Sequence, residues 1–221
     1  MRSLPLPLAL TARLTPVIVL ACAGWALSSG PLEAEKDTAA KDTRPPRSES
    51  SAPSSTAVTK TYGAAPAPCT SVTAKTVASL VPAAKTAGRE IPSTDTSLRR
   101  TCSWNALKGY EYRWLDVSFE LTESDESAAT SYKERTTEKS GGGAVPGLGD
   151  EGYSVVNLTT EDKQQTREGT VIARVSNALV VVTYNGSDFE SKKAPSTDEI
   201  NKGAIRAAKE AVASLRAAAL N

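Results

Sequence analysis

Apolar residues are spaced in three different ways along this chain, and the spacing divides it. Residues 14–27, LTPVIVLACAGWAL, are almost continuously apolar. Residues 29–68 carry almost no large apolar side chain, so they cannot bury enough surface to offset the entropy lost on ordering. Beyond residue 69 apolar positions recur at regular intervals, and only there can a core form.

The intervals name the elements. CTSVTAKTVASLVP puts Cys69, Val72, Thr76, Val77 and Leu80 on one face of a helix that Pro82 stops. LRRTCSWNAL and YEYRWLDVSFEL read as strands, the second alternating through Leu115, Val117, Phe119 and Leu121. Tyr110, Tyr112 and Trp114 have the opposite parity, so either a bulge resets the register near Trp114 or these aromatics cover the second face of the sheet. SDESAATSYKERTTEKS predicts a polar helix with Ala128, Ala129 and Tyr132 as its thin apolar stripe. GYSVVNL, EGTVIARVS and ALVVVTYNG predict three more strands, the last two joined by a tight hairpin at Ser176 and Asn177. STDEINKGAIRAAKEAVASLRAAAL closes the chain as a helix with a capping box, Ser196 and Glu199, and a stripe at Ile200, Ala204, Ala208, Val212, Leu215 and Ala219.

Strands that follow one another through short turns favour an antiparallel sheet. The expectation is a single α+β domain over residues 69–221: about five strands, with two or three helices packed mainly on one face.

Composition narrows the chemistry. The net charge is +1, which gives no footprint for nucleic acid, and the chain has no histidine, the usual triad base and the commonest metal ligand. No cofactor is expected.

Arg2 and Arg13 precede an apolar run too short for a comfortable membrane span but suited to an export signal, placed over residues 1–28. Within it VLAC, ending at Cys22, resembles a bacterial lipobox, although AGWAL after Cys22 is apolar where lipoproteins turn polar. Three outcomes follow: a lipidated Cys22, an uncleaved signal anchor, or ordinary cleavage near ALSSG. Residues 29–68 then form a flexible tether whose ends lie roughly 35 Å apart. Lipidation of Cys22 would leave Cys69 and Cys102 over, to be read as a disulfide or as two buried free thiols. A bond closing that loop would stabilise the fold by roughly 3.5 kcal/mol.

GLGDEG satisfies a dinucleotide-binding spacing through Gly147, Gly149 and Gly152, but it follows a flexible run and leads into a strand instead of opening a helix. It therefore reads as a structural turn, with Asp150 bonding its own turn. Paired acids, Asp150 with Glu151 or Glu120 with Glu123, are the raw material for a carboxylate hydrolase, but adjacent surface acids are more often solvated charge. Trp104, Tyr110, Tyr112 and Trp114 either line an apolar ligand cleft or form the core of a small sheet.

The succession PCTSVTAKTVASLVP, CSW at Cys102 to Trp104, VPGLGDEGYSV, a hydrophobic hairpin and an alanine-rich C-terminal helix covers roughly residues 65–220. It is similar to a family of actinobacterial secreted lipoproteins carrying a domain of unknown function. The resemblance implies an envelope location, a disulfide joining Cys69 to Cys102, and no established enzymatic activity. A looser similarity, to extracellular sensor domains of mycobacterial serine/threonine kinases, suggests ligand sensing without a kinase region. Together these readings give an expected non-enzymatic binding or interaction module on the outer face of the cytoplasmic membrane, held there by a lipid or signal anchor. Its partner is an unidentified envelope ligand or protein, and nucleic acid is not expected. The competing expectations are an envelope hydrolase using carboxylates and a soluble secreted effector.

Overall fold

The computed structural model of the protein describes residues 60–219. The export segment with Cys22 and the tether up to residue 59 lie outside the described residues. After a short 3-10 turn at Pro68–Thr70 come α1 (Ala74–Leu80), β1 (Arg89–Ile91), β2 (Arg99–Lys108), β3 (Glu111–Leu121) and α2 (Asp125–Thr137). The second half holds β4 (Gly143–Ala144), β5 (Glu151–Glu161), β6 (Gln164–Val175), β7 (Ala178–Asp188) and α3 (Thr197–Ala218). All strands join one antiparallel sheet of seven, in the order β1-β2-β3-β7-β6-β5-β4.

Seven strands replace the expected five or so because β1 and β4 are edge strands of three and two residues. Segments this short show no alternation to read; their backbones are recruited by β2 and β5. The first helix is also shorter than its apolar spacing predicts. Thr73 interrupts it as an N-cap whose hydroxyl accepts from Thr76 N, which leaves Cys69 in the 3-10 turn.

The core lies between one face of the sheet, here the core face, and α3. Leu115, Val117 and Phe119 of β3 are fully buried there, as are Val171 and Ala173 of β6 and Val180 and Val182 of β7. Ile200, Ala204, Ala208, Val212 and Leu215 of α3 cover them, as their spacing predicts, while Ala219 beyond the helix is exposed. The glycine inside α3 has a packing reason. A methyl on Gly203 would come within 2.7 Å of the Tyr184 ring, and that ring donates its hydroxyl proton to Leu80 O at 2.8 Å. Only a bare Cα lets helix, tyrosine and α1 meet so closely.

Glu210 locks α1 onto α3. Its carboxylate accepts from Thr73 N at 2.8 Å and from the Thr76 hydroxyl at 2.5 Å. Burial pushes its pKa up, but these hydrogen bonds and nearby Arg206 outweigh burial and hold the group below its ordinary value near 4.5. A carboxylate with a lowered folded-state pKa contributes stability above its ordinary value and loses it as pH falls. Wild-type protein should therefore lose stability below about pH 4.5 more steeply than Glu210→Gln, as measured by denaturant midpoints between pH 3 and 7. Parallel pH profiles for the two proteins would show that Glu210 does not lock the helices in this way.

One helix departs from the main packing face, and the expected domain boundary needs correcting. First, α2 packs on the opposite face of the sheet, here the open face, over β6 and β7. Its Ala128 is fully buried, Ile172 and Leu179 lie beneath it at 1% exposure, and Arg135 reaches Glu120 at 2.5 Å. Second, the fold takes in residues that the composition assigned to the tether. Tyr62 and Ala65 are 6% and 5% exposed, and Ala65 N donates to Ser97 O at 2.8 Å. Tyr62 is also clasped on both backbone groups by the Asn177 side chain, which supplies the order that its local sequence lacks.

Candidate functional site

The parity question in β3 has a plain answer. Its ladders run unbroken, from Glu111↔Asp188 to Leu121↔Ala178 with β7 and from Lys108↔Glu111 to Arg99↔Glu120 with β2. There is no bulge in these pairings, so Tyr112 and Trp114 stand on the open face.

The four aromatics proposed as a cleft are accordingly separated. Trp104 pairs with Leu115 on the core face, is 1% exposed, and donates its indole proton to Thr86 O at 2.9 Å. Tyr110 lies in the β2–β3 turn, 57% exposed, with its carbonyl accepting from Phe189 N. Tyr112 and Trp114 alone stay together, edge to face with ring centroids 6.4 Å apart. Phe189, which no periodicity singled out, joins them with its centroid 6.2 Å from that of Tyr112.

These rings occupy the half of the open face that α2 leaves bare, at the end of the sheet carrying the β2–β3 and β5–β6 turns. Trp114 is 36% exposed, and its indole N–H donates to Asp116 Oδ1 at 2.6 Å, which fixes the ring. Burial raises the Tyr112 phenol above its ordinary pKa, and the Asp116 carboxylate adds to the shift. It remains a neutral donor at any physiological pH.

Straight across the strands, residues directly opposite one another share a face. The Trp114 row runs Asn105–Trp114–Asn185–Glu168–Asn157 through four ladders. At the spacing of neighbouring strands it is roughly 19 Å long. Beyond it, between β5 and β6, lies a hollow of about 620 Å³ lined by Asn157, Thr159, Glu161, Gln164, Thr166 and Glu168 among others. The uncovered half of the open face thus carries aromatic rings at one side and amide, hydroxyl and carboxylate groups at the other.

The glycine segment does different work at the opposite end of the sheet. Gly147 and Gly149 both take left-handed backbone, with φ +74° and +69°. The turn they make drives Leu148 into the core, where it is 2% exposed. A methyl on Gly149 would lie 2.4 Å from Arg174 O, the carbonyl that accepts from Asp150 N. Gly152 is the second residue of β5, packed against Leu148 and Val145 O. Asp150 does not bond its own turn, as the sequence suggested. Its Oδ2 accepts from Ser176 N at 2.7 Å, tying the glycine segment to the β6–β7 hairpin, because the backbone reversal presents that donor.

The carboxylates considered for hydrolysis are held by basic groups. Asp150 lies 3.4 Å from Arg174 and 3.6 Å from Arg216, and Glu151 lies 2.8 Å from Arg174. Glu120 contacts Arg99 and Arg135, whereas Glu123 pairs with Lys60. Among the described residues no group of three or more Cys, Asp or Glu side chains is placed to hold a metal ion, and no helix is long and apolar enough to cross a membrane.

No family model and no curated protein matches this chain. Among solved structures it is similar to a protein of Bacteroides thetaiotaomicron VPI-5482 determined at 1.50 Å resolution, with 8% sequence identity and a TM-score of 0.34. The likeness covers 54% of this chain and 47% of that one, so the chain spans about half the length of the protein it matches. At that level it carries no weight for fold or function.

Proposed function

We propose that residues 60–219 are a non-enzymatic binding module, held by the N-terminal segment on the outer face of the cytoplasmic membrane and engaging its ligand through the bare half of the open face. The observation that carries this reading is the Trp114 platform. A tryptophan, a tyrosine and a phenylalanine are gathered on the surface and braced by Asp116, although the same fold covers the other half of that face with a helix. Exposed apolar groups are common singly, but a braced cluster beside polar groups is the mark of a contact surface. Against an enzymatic role stands the pairing of the candidate acids with arginine and lysine, which makes them structural charge.

The test compares two substitutions in a strain that depends on the protein for an envelope phenotype. Trp114→Ala removes a ring that touches Tyr112 and Asp116, so it should cost about 1–2 kcal/mol and leave the domain folded while the phenotype is lost. Asp150→Ala with Glu151→Ala should lower stability and spare the phenotype in whatever protein remains folded. The reverse pattern, loss through the two acids at unchanged melting temperature, would place chemistry at the glycine segment and overturn the binding reading. Location is tested separately: mass spectrometry of the native N-terminus should find diacylated Cys22, and an unmodified Cys22 on an intact N-terminus would point to a signal anchor.

A further inference from the structure

We infer that the ligand of the open face is an uncharged, polyhydroxylated carbohydrate chain laid across the strands on Trp114. The inference rests on the proposal that this half-face is the binding surface, and it names the chemistry that surface would take.

Three observations converge. The first is hydrogen-bonding character. A cation needs only acceptors and an anion only donors, but the Trp114 row offers both. Asn105, Asn185 and Asn157 each present an amide that donates and accepts, and Glu168 accepts. Sugar hydroxyls are themselves donor and acceptor at once, so a mixed row of this kind matches vicinal hydroxyls along a chain. The roughly 14 Å of row beyond the indole continue into the 620 Å³ hollow, where threonine and glutamine side chains repeat the same mixed character.

The second is charge. Parity puts Asp116, Glu168 and Glu161 on this half of the face; among the described residues no lysine or arginine stands in the Trp114 row or lines the hollow, and Arg89 lies at the β1 border in the neighbouring Asp116 row. A phosphorylated or otherwise anionic polymer laid along the Trp114 row into the hollow would meet carboxylates and no cation on that path. The third is the platform. The Trp114 indole is fixed by its bond to Asp116 and by the Tyr112 edge, so it loses little freedom when the C–H face of a sugar ring settles against it. Sugar rings have an apolar C–H side and a polar hydroxyl rim; a braced ring beside a row of amides offers a partner to each.

The experiment uses the full chain and saturation-transfer NMR with three neutral hexasaccharides, of gluco, manno and galacto configuration, alongside choline and inorganic polyphosphate. At least one hexasaccharide should receive saturation at its ring protons. Trp114→Ala should weaken it by about tenfold or more and Asn185→Ala by several-fold, with both variants still folded at the temperature of the measurement. Two variants on different strands guard against a local folding fault in either. Absence of transfer to every hexasaccharide, or transfer that Trp114→Ala leaves intact, overturns the inference. Trp114-dependent binding of choline without any sugar also overturns it, while leaving the binding-module proposal standing. Polyphosphate binding at Trp114 would contradict the charge argument and has the same consequence. The binding-module proposal itself fails only when the envelope phenotype survives Trp114→Ala.

Discussion

Replacing Asn177 with alanine should destabilise the domain by about 3–5 kcal/mol, a large fraction of what a single domain possesses. The side chain is completely buried. Its Oδ1 accepts from Tyr62 N at 2.9 Å, and its Nδ2 donates to Tyr62 O at 3.0 Å and to Thr122 O at 3.1 Å. Three backbone groups therefore lose a partner at once at a buried position, and each stranded group costs about 1–3 kcal/mol. The damage should be polarised. Amides of residues 60–65 should exchange with solvent far faster in the variant, because nothing local holds them, while those of β3 and β7 exchange at the rate set by global unfolding. Urea midpoints give the energy and hydrogen exchange gives its location; a cost under about 1 kcal/mol would mean that the N-terminal segment is held by packing alone.

Removing the disulfide should have a comparable effect. Cys69 and Cys102 are joined across a separation of 33 residues, with their Cα atoms 5.0 Å apart. Closing a loop of that length takes roughly 3.5 kcal/mol of entropy from the unfolded chain, so Cys69→Ala with Cys102→Ala should cost about 2–5 kcal/mol. The bond also has a place in the native packing. Cys102 is fully buried in β2, and the connection that returns at Gly88 passes so close that a methyl there would lie 2.6 Å from its sulfur and from the Trp104 indole. The residues between α1 and β2 form only the three-residue β1, so little else orders them. Thiol counting on denatured, unreduced protein should find neither cysteine reactive. Two reactive thiols from these positions would refute the pairing, and an undiminished melting temperature after reduction would refute its energetic role.

Much of this fold was legible because its signals are local. The alternation from Leu115 to Leu121, the stripe from Ile200 to Leu215 and the hairpin at Ser176–Asn177 each arise within a dozen or two residues, and the structure repeats them. What was hidden is what depends on distant partners. Tyr62 sits among small and polar residues, and its order comes from an amide 115 positions away. Asp150 finds Ser176 N rather than its own turn, because the fold brings that donor to it. The strands β1 and β4 exist only because a neighbour's edge was free to pair. The candidate site shows the same division. Parity offered Tyr112 and Trp114 a place opposite the core residues, with a bulge as the alternative, but no pattern announced that Trp104 would be buried without them, that Phe189 would join them, or that Asn105, Asn185 and Glu168 would line up beside them.

The shortness of those two border strands has a consequence for how many copies of the protein can share a crowded space. The inner strands run for ten to twelve residues, and such a length of unsatisfied backbone at a border would be a template for another chain. Here the border strands cover only part of their neighbours, β1 facing Thr101–Ser103 of β2 and β4 facing Tyr153 and Ser154 of β5, so β5 from Val155 to Glu161 keeps an outward edge with no strand beside it among the described residues. What opposes strand addition along that edge is its polar side chains, Asn157, Thr159, Thr160 and Glu161, all exposed. Replacing Asn157, Thr159 and Glu161 with valine would remove that protection.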